Sequence, residues 1–176
     1  YEGAAFAQPG KTKINDVNTV VTLHLKTAVD EAKIPAQVVR VNQEVVAVRF
    51  EEISVPARII IDRVVTDRIV GLNMQLIDPR HYGSQSDFSH WFHGPKDTNL
   101  YLWGDGGALQ AAEMEMAEAR LEYRNDTLLF ENKKVVGKEG SLNNQQIALK
   151  AKAISEQIES EDPVLLAFKK LIDDHV

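Results

Sequence analysis

Between Val17 and Phe50 the chain alternates with a period of two, and the segments that alternate lie too close together for helices to fit between them. "VNTVVTLHLKT" puts Val20, Thr22, His24 and Lys26 on one face and Val21, Leu23 and Leu25 on the other. After a turn-like "AVDEAK" and Pro35, "AQVVRVNQEVVAVRFEEI" predicts two further strands. Val39 and Val41 are in phase in the first, Val46, Val48 and Phe50 in the second, and "NQE" is the tight connection. A parallel sheet needs a crossover of a dozen or more residues, so these strands must form an antiparallel meander, as a small barrel or sandwich.

The period changes at Val55. In "VPARIIIDRVVTDRIVGLNMQLID" the apolar residues Ile59, Ile60, Val64, Ile69, Leu72 and Leu76 recur near one helical face, and Asp78-Pro79 stops the pattern. Its β-branched content leaves a final strand open for part of "RIIIDRVV". A polar and aromatic loop, "RHYGSQSDFSHWFHGPKDT", is followed by the strand "NLYLW" and a turn over Gly104 to Gly107. "ALQAAEMEMAEARLEY" has the composition of a helix, with its later part alternatively a strand hairpinned by "RNDT" to "LLFENK". Two helices close the chain, and Asp162 before Pro163 is a natural N-cap and first-turn pair. Ile147, Ala151, Ile154 and Ile158 form one apolar stripe and Val164, Phe168, Leu171 and Ile172 another, so both must pack, by folding back on the barrel or against a partner or second copy. The expected class is α+β: an antiparallel barrel over residues 1–70, then an α/β extension over 71–176 that ends in two helices.

Charge and composition narrow the function classes. A formal net charge of -6 argues against a nucleic-acid polymer or an anionic membrane surface as partner, since both need concentrated Lys and Arg. A small anionic ligand needs only a few arginines and stays open. Cys is absent, which removes disulfides and thiolate chemistry and fits a cytoplasmic setting. No apolar run approaches the roughly 20 residues that span a bilayer. The opening "YEGAAFAQPGK" has no initiator Met and no signal-peptide pattern.

The succession "GAAF", "VTLHL", "IPAQVVRV" and "VAVRF" resembles the PilZ family, the bacterial cyclic di-GMP receptor domain, over Tyr1 to about Val65. In that family a D/N-x-S-x-x-G motif on the barrel and an R-x-x-x-R segment ahead of it hold the ligand. "YEG" is similar to the last three positions of the first motif, with Gly3 as its glycine, so the polar positions are expected just before residue 1. The resemblance implies a non-enzymatic signalling module without a cofactor. It would bind or relay cyclic di-GMP, with Gly3 and Arg40 as ligand-binding candidates, and act on a partner protein or as a homo-oligomer. Guanine offers adjacent acceptors that a guanidinium fork meets with two donors, and glycine lets backbone approach closely. Arg120 and Arg124 in "RLEYR" have the spacing of the arginine motif but the wrong context, and Arg58, Arg63 and Arg68 miss the spacing.

One segment carries other chemistry. His81, Asp87, His90, His93 and Asp97, with Ser84, Ser86 and Ser89, lie within "RHYGSQSDFSHWFHGPKD". If His90 and His93 shared a helical face, Asp87 would complete a zinc or iron site and make a metal-dependent hydrolase an alternative. Phe88, Trp91 and Phe92 favour a packing plug instead, and no G-x-S-x-G elbow, P-loop or H-E-x-x-H motif is present. In "NLYLW", Leu100 and Leu102 share one face and Tyr101 and Trp103 the other, so the strand should be covered on both sides. Trp91 and Trp103 are then expected largely buried in a second core, with His90 or His93 packing or hydrogen-bonding.

Overall fold

The computed structural model describes residues 3–7, 16–26, 31–42, 45–84, 86–133 and 141–176. It divides into two compact units, Tyr1–Arg63 and Val64–Val176.

In the first unit, strands β1 (Gly3–Ala7), β2 (Val20–Lys26), β3 (Glu31–Val41) and β4 (Val45–Phe50) form an antiparallel sheet in the order β1-β4-β3-β2. Among the described residues this sheet is open, with β1 and β2 as its two edges, so the expected barrel is met only as an antiparallel sheet. The β2 phase is as read, with Val21, Leu23 and Leu25 half-buried and Val20 exposed. The β3 phase is not. Ala32, Ile34, Ala36 and Val38 are buried, whereas Val39 is 42 % exposed. A β-bulge between Val38 and Arg40 shifts the register and re-aims every residue after it. The strand also begins at Glu31, inside the segment read as a turn, and contains Pro35. Pro35 accepts from Glu51 N, so its missing N–H lies on the side where β4 has ended, and its pairing with β2 is intact.

Helix α1 (Val55–Leu72) runs from the first unit into the second. Ser54 opens it by accepting from Ala57 N and Arg58 N, and Asn73 closes it with its amide on Ile69 O. It therefore ends ahead of Asp78, which instead caps a 3-10 turn, Pro79–His81. Its buried side is Ala57, Ile60, Ile61, Asp67 and Val70, while Ile59 and Ile69 are 53 % and 51 % exposed. A carboxylate inside the stripe and isoleucines outside it explain why hydrophobic periodicity chose a different face.

The second unit is a six-stranded antiparallel meander in the order β10-β9-β8-β7-β6-β5. Its strands are β5 (Gln75–Leu76), β6 (His90–Gly94), β7 (Thr98–Asp105), β8 (Ala108–Glu115), β9 (Ala119–Arg124) and β10 (Thr127–Asn132). The helix expected from Ala108 is thus strand: alternation of Ala112, Met114 and Met116, all buried, with Glu113 and Glu115 overrides the helical propensity of Ala, Glu and Met. Gly106 and Gly107, φ 55° and 88°, turn β7 into β8, and Asn125 and Asp126, φ 51° and 55°, turn β9 into β10. Paired positive φ is what a two-residue hairpin with the right-handed strand twist requires.

Helices α2 (Asn144–Ser155) and α3 (Pro163–Asp173) cover one face of this sheet. Ile147, Ala151, Ile154, Ile158, Val164, Phe168 and Ile172 meet Phe92, Leu100, Leu102, Met114 and Leu121 in a single core. The tail stripes are therefore as read, with a different target. Asn143 and Gln146 form a capping box on α2, and Asp162 caps α3 by accepting from Val164 N and Leu165 N.

Candidate functional site

The first sheet brings the two candidate ligand residues onto one face. Gly3 pairs with Arg49, Arg49 with Gln37, and Arg40 with Ala47. Cross-strand partners share a face, and so do alternate residues of one strand, so Gly3, Gln37, Arg40, Ala47 and Arg49 all lie opposite the buried Val46 and Val48. Without the bulge, Arg40 would follow Ala36 and Val38 into the core. The bulge turns it out beside Arg49, whose Nη2 donates to Gln37 Oε1 at 3.0 Å. Both guanidiniums are exposed. Arg49 escaped sequence reading because its relation to Gly3 is fixed by register alone.

The second sheet has a chemically distinct outer face. Register aligns Trp91, Tyr101, Glu113, Glu122 and Leu129 in one row across five strands, and His93, Asn99, Glu115, Arg120 and Glu131 in the next. Trp91 and Tyr101 stack at 5.9 Å between centroids. Phe88 lies edge-on or tilted against Tyr82, Trp91, Tyr101 and Trp103. The indole N–H groups are committed within the protein: Trp91 Nε1 donates to Asn99 Oδ1 at 3.0 Å and Trp103 Nε1 to Asp87 Oδ1 at 2.8 Å. Trp91 and Trp103 are half-buried, less than expected, because the helices cover the leucine face and, among the described residues, this face is packed by the Phe88 loop.

Charges crowd the other half of the face. Arg120 bonds Glu113 through Nε at 2.8 Å and Nη2 at 2.7 Å and reaches Glu122 at 3.2 Å, and these bonds hold its guanidinium above its ordinary range. Arg124 lies 5.8 Å from the centre of the Trp103 ring. Arg120 and Arg124 thus share a strand face among glutamates, a poor setting for a phosphate. Burial raises the Tyr101 hydroxyl above its usual value, and the Glu115 and Glu113 carboxylates raise it further.

His90 and His93 fall on opposite faces of β6, since the segment is strand and not helix, so they form no i,i+3 pair. His93 Nδ1 donates to Asn99 Oδ1 at 2.8 Å. His90 Nε2 meets Asp162 Oδ2 at 2.9 Å, and its Nδ1 meets Ser89 Oγ at 2.9 Å. Ser89 Oγ also donates to Leu102 O at 2.9 Å. Serine, histidine and aspartate are therefore in contact, but the carboxylate is Asp162, not Asp87, and its other oxygen caps α3. The arrangement ties the N-terminus of α3 to β6. Among the described residues no group of three or more His, Asp or Glu is gathered as for a metal ion, and no helix is long and apolar enough to cross a membrane. No protein-family model, curated protein or solved structure matches the chain.

Proposed function

We propose that the chain is a non-enzymatic, cytoplasmic bacterial signalling module: a PilZ-like first unit that binds or relays cyclic di-GMP, and a second unit that engages a partner protein. The observation that carries the reading is the bulge between Val38 and Arg40, which sets Arg40 on the face that holds Gly3 and Arg49. Two exposed guanidiniums beside a glycine supply the fork, stacking surface and backbone access that guanine and phosphate use. Isothermal titration with cyclic di-GMP tests it. Binding by the intact chain, weakened about tenfold or more in Arg40→Ala, is expected, since one bidentate arginine–guanine contact contributes about 1–3 kcal/mol. Absence of binding, or equal binding by the variant, contradicts it.

A second reading has its own support. The half-buried aromatic face of the second sheet favours a PilZ-like interaction protein that works without ligand. Partner binding indifferent to cyclic di-GMP separates this from the first.

A further inference from the structure

We infer that the outer face of the second sheet is a docking surface for a basic, arginine-bearing segment of a partner protein. The inference rests on the reading of the second unit as partner-facing and names the chemistry of that partner. Both indole N–H groups are used internally, so the face presents ring surfaces and carboxylates to a ligand, not indole donors. Ring faces attract cations through their quadrupole, and the chain already holds one guanidinium this way, Arg124 over Trp103 at 5.8 Å. Tyr101 offers the same kind of surface, half-exposed between Trp91 and Glu113 in its row. The Glu113 and Glu115 carboxylates bear electrostatically on its hydroxyl, so the local potential is negative.

Charge complementarity selects among occupants. Glu113, Glu115, Glu122 and Glu131 share Arg120, Arg124 and Lys133 among them, so carboxylates stay in excess with those ion pairs made, and the chain carries a formal charge of -6. A phosphorylated or nucleic-acid partner meets repulsion here, and a neutral apolar peptide leaves the excess negative charge unbalanced. A guanidinium, planar and weakly hydrated, can stack on Tyr101 while donating to Glu115, whose own contacts, from Asn99 and Lys133, are long at 3.3 Å and 3.5 Å.

The test uses the full chain and a hexa-arginine peptide. The two tryptophans of the sequence, Trp91 and Trp103, both lie on this face, so intrinsic fluorescence reports the site itself. A saturable change that weakens with added salt is expected, with no such change for hexa-glutamate or hexa-serine. Glu115→Gln and Tyr101→Leu, each checked for an unchanged circular dichroism spectrum, should weaken binding about five- to tenfold, while Tyr101→Phe retains it. Equal affinity in Glu115→Gln, or a response to hexa-glutamate or hexa-serine as strong as to hexa-arginine, overturns the inference. Cyclic di-GMP binding is measured separately and through Arg40, so either proposal can fail without the other.

Discussion

Replacing Lys150 by Met should destabilise the second unit by leaving the buried Asp67 carboxylate without its cation. Lys150 Nζ lies 2.5 Å from Asp67 Oδ1 and 3.2 Å from Glu118 Oε1, and its side chain and that of Asp67 are only 15 % and 7 % exposed. Burial raises the Asp67 carboxyl above its ordinary 3.8, and Lys150 offsets that only in part. A carboxylate with a raised folded-state value contributes most below its unfolded value and loses that contribution as pH rises through the folded one. Taking Lys150 away leaves an ionised Asp67 buried without its main cation, at a cost of about 3–5 kcal/mol near neutral pH. The deficit should narrow as pH falls and Asp67 takes up its proton. Asp67→Asn leaves Lys150 with Glu118 and should cost about 1–2 kcal/mol, and the double variant should recover part of the loss as coupling of about 0.5–3 kcal/mol. Urea denaturation followed by tryptophan fluorescence reads the second unit, which contains both indoles. A Lys150→Met variant within about 1 kcal/mol of the parent at neutral pH, or a deficit that widens on acidification, would refute the reasoning.

Gly71→Ala should destabilise, although alanine in a helix interior normally gains about 1 kcal/mol over glycine. A Cβ there would sit 2.8 Å from Gln157 Cβ and press on the Ile154 carbonyl, so a melting temperature below that of the parent is expected. Phe92→Ala should cost about 3–5 kcal/mol in the same urea assay, because Phe92 is fully buried among Leu100, Leu102 and the α3 residues. Asp162→Ala should cost about 1–2 kcal/mol through loss of the α3 cap, and Asp162→Asn much less, since an amide oxygen can still accept from Val164 N and Leu165 N.

What could be read from the sequence was whatever a local pattern fixes. The alternation of β2, the split of Leu100 and Leu102 from Tyr101 and Trp103, the Asp162-Pro163 helix start and both tail stripes needed only neighbours in the chain. The misreadings came from register and long-range pairing. Val39 is exposed because it alternates with the buried Val38, and the bulge that follows sets Arg40 opposite the face its spacing from Val38 alone would give. In "AEMEM" the period of two was present, but helical propensity argued louder until the cross-strand neighbours of Met114 were known. The face of α1 was misjudged because Asp67 is buried through Lys150, a partner far away in sequence. The candidate sites have the same history: Gly3 and Arg40 could be named from the sequence, Arg49 only from the sheet. His90 could be named as hydrogen-bonding, but Asp162 as its partner follows from the packing of α3 on the second sheet.

The central claim is that a bulge-positioned arginine face on the first sheet receives cyclic di-GMP. Amide chemical shifts of the isotopically labelled chain, titrated with cyclic di-GMP, test it most directly. The account predicts saturable shifts clustered at Gly3, Gln37, Arg40 and Arg49, with the core positions Ile34 and Ala36 and the strands β7 to β10 little changed. Shifts confined to β7 to β10, or none at millimolar ligand, would contradict it.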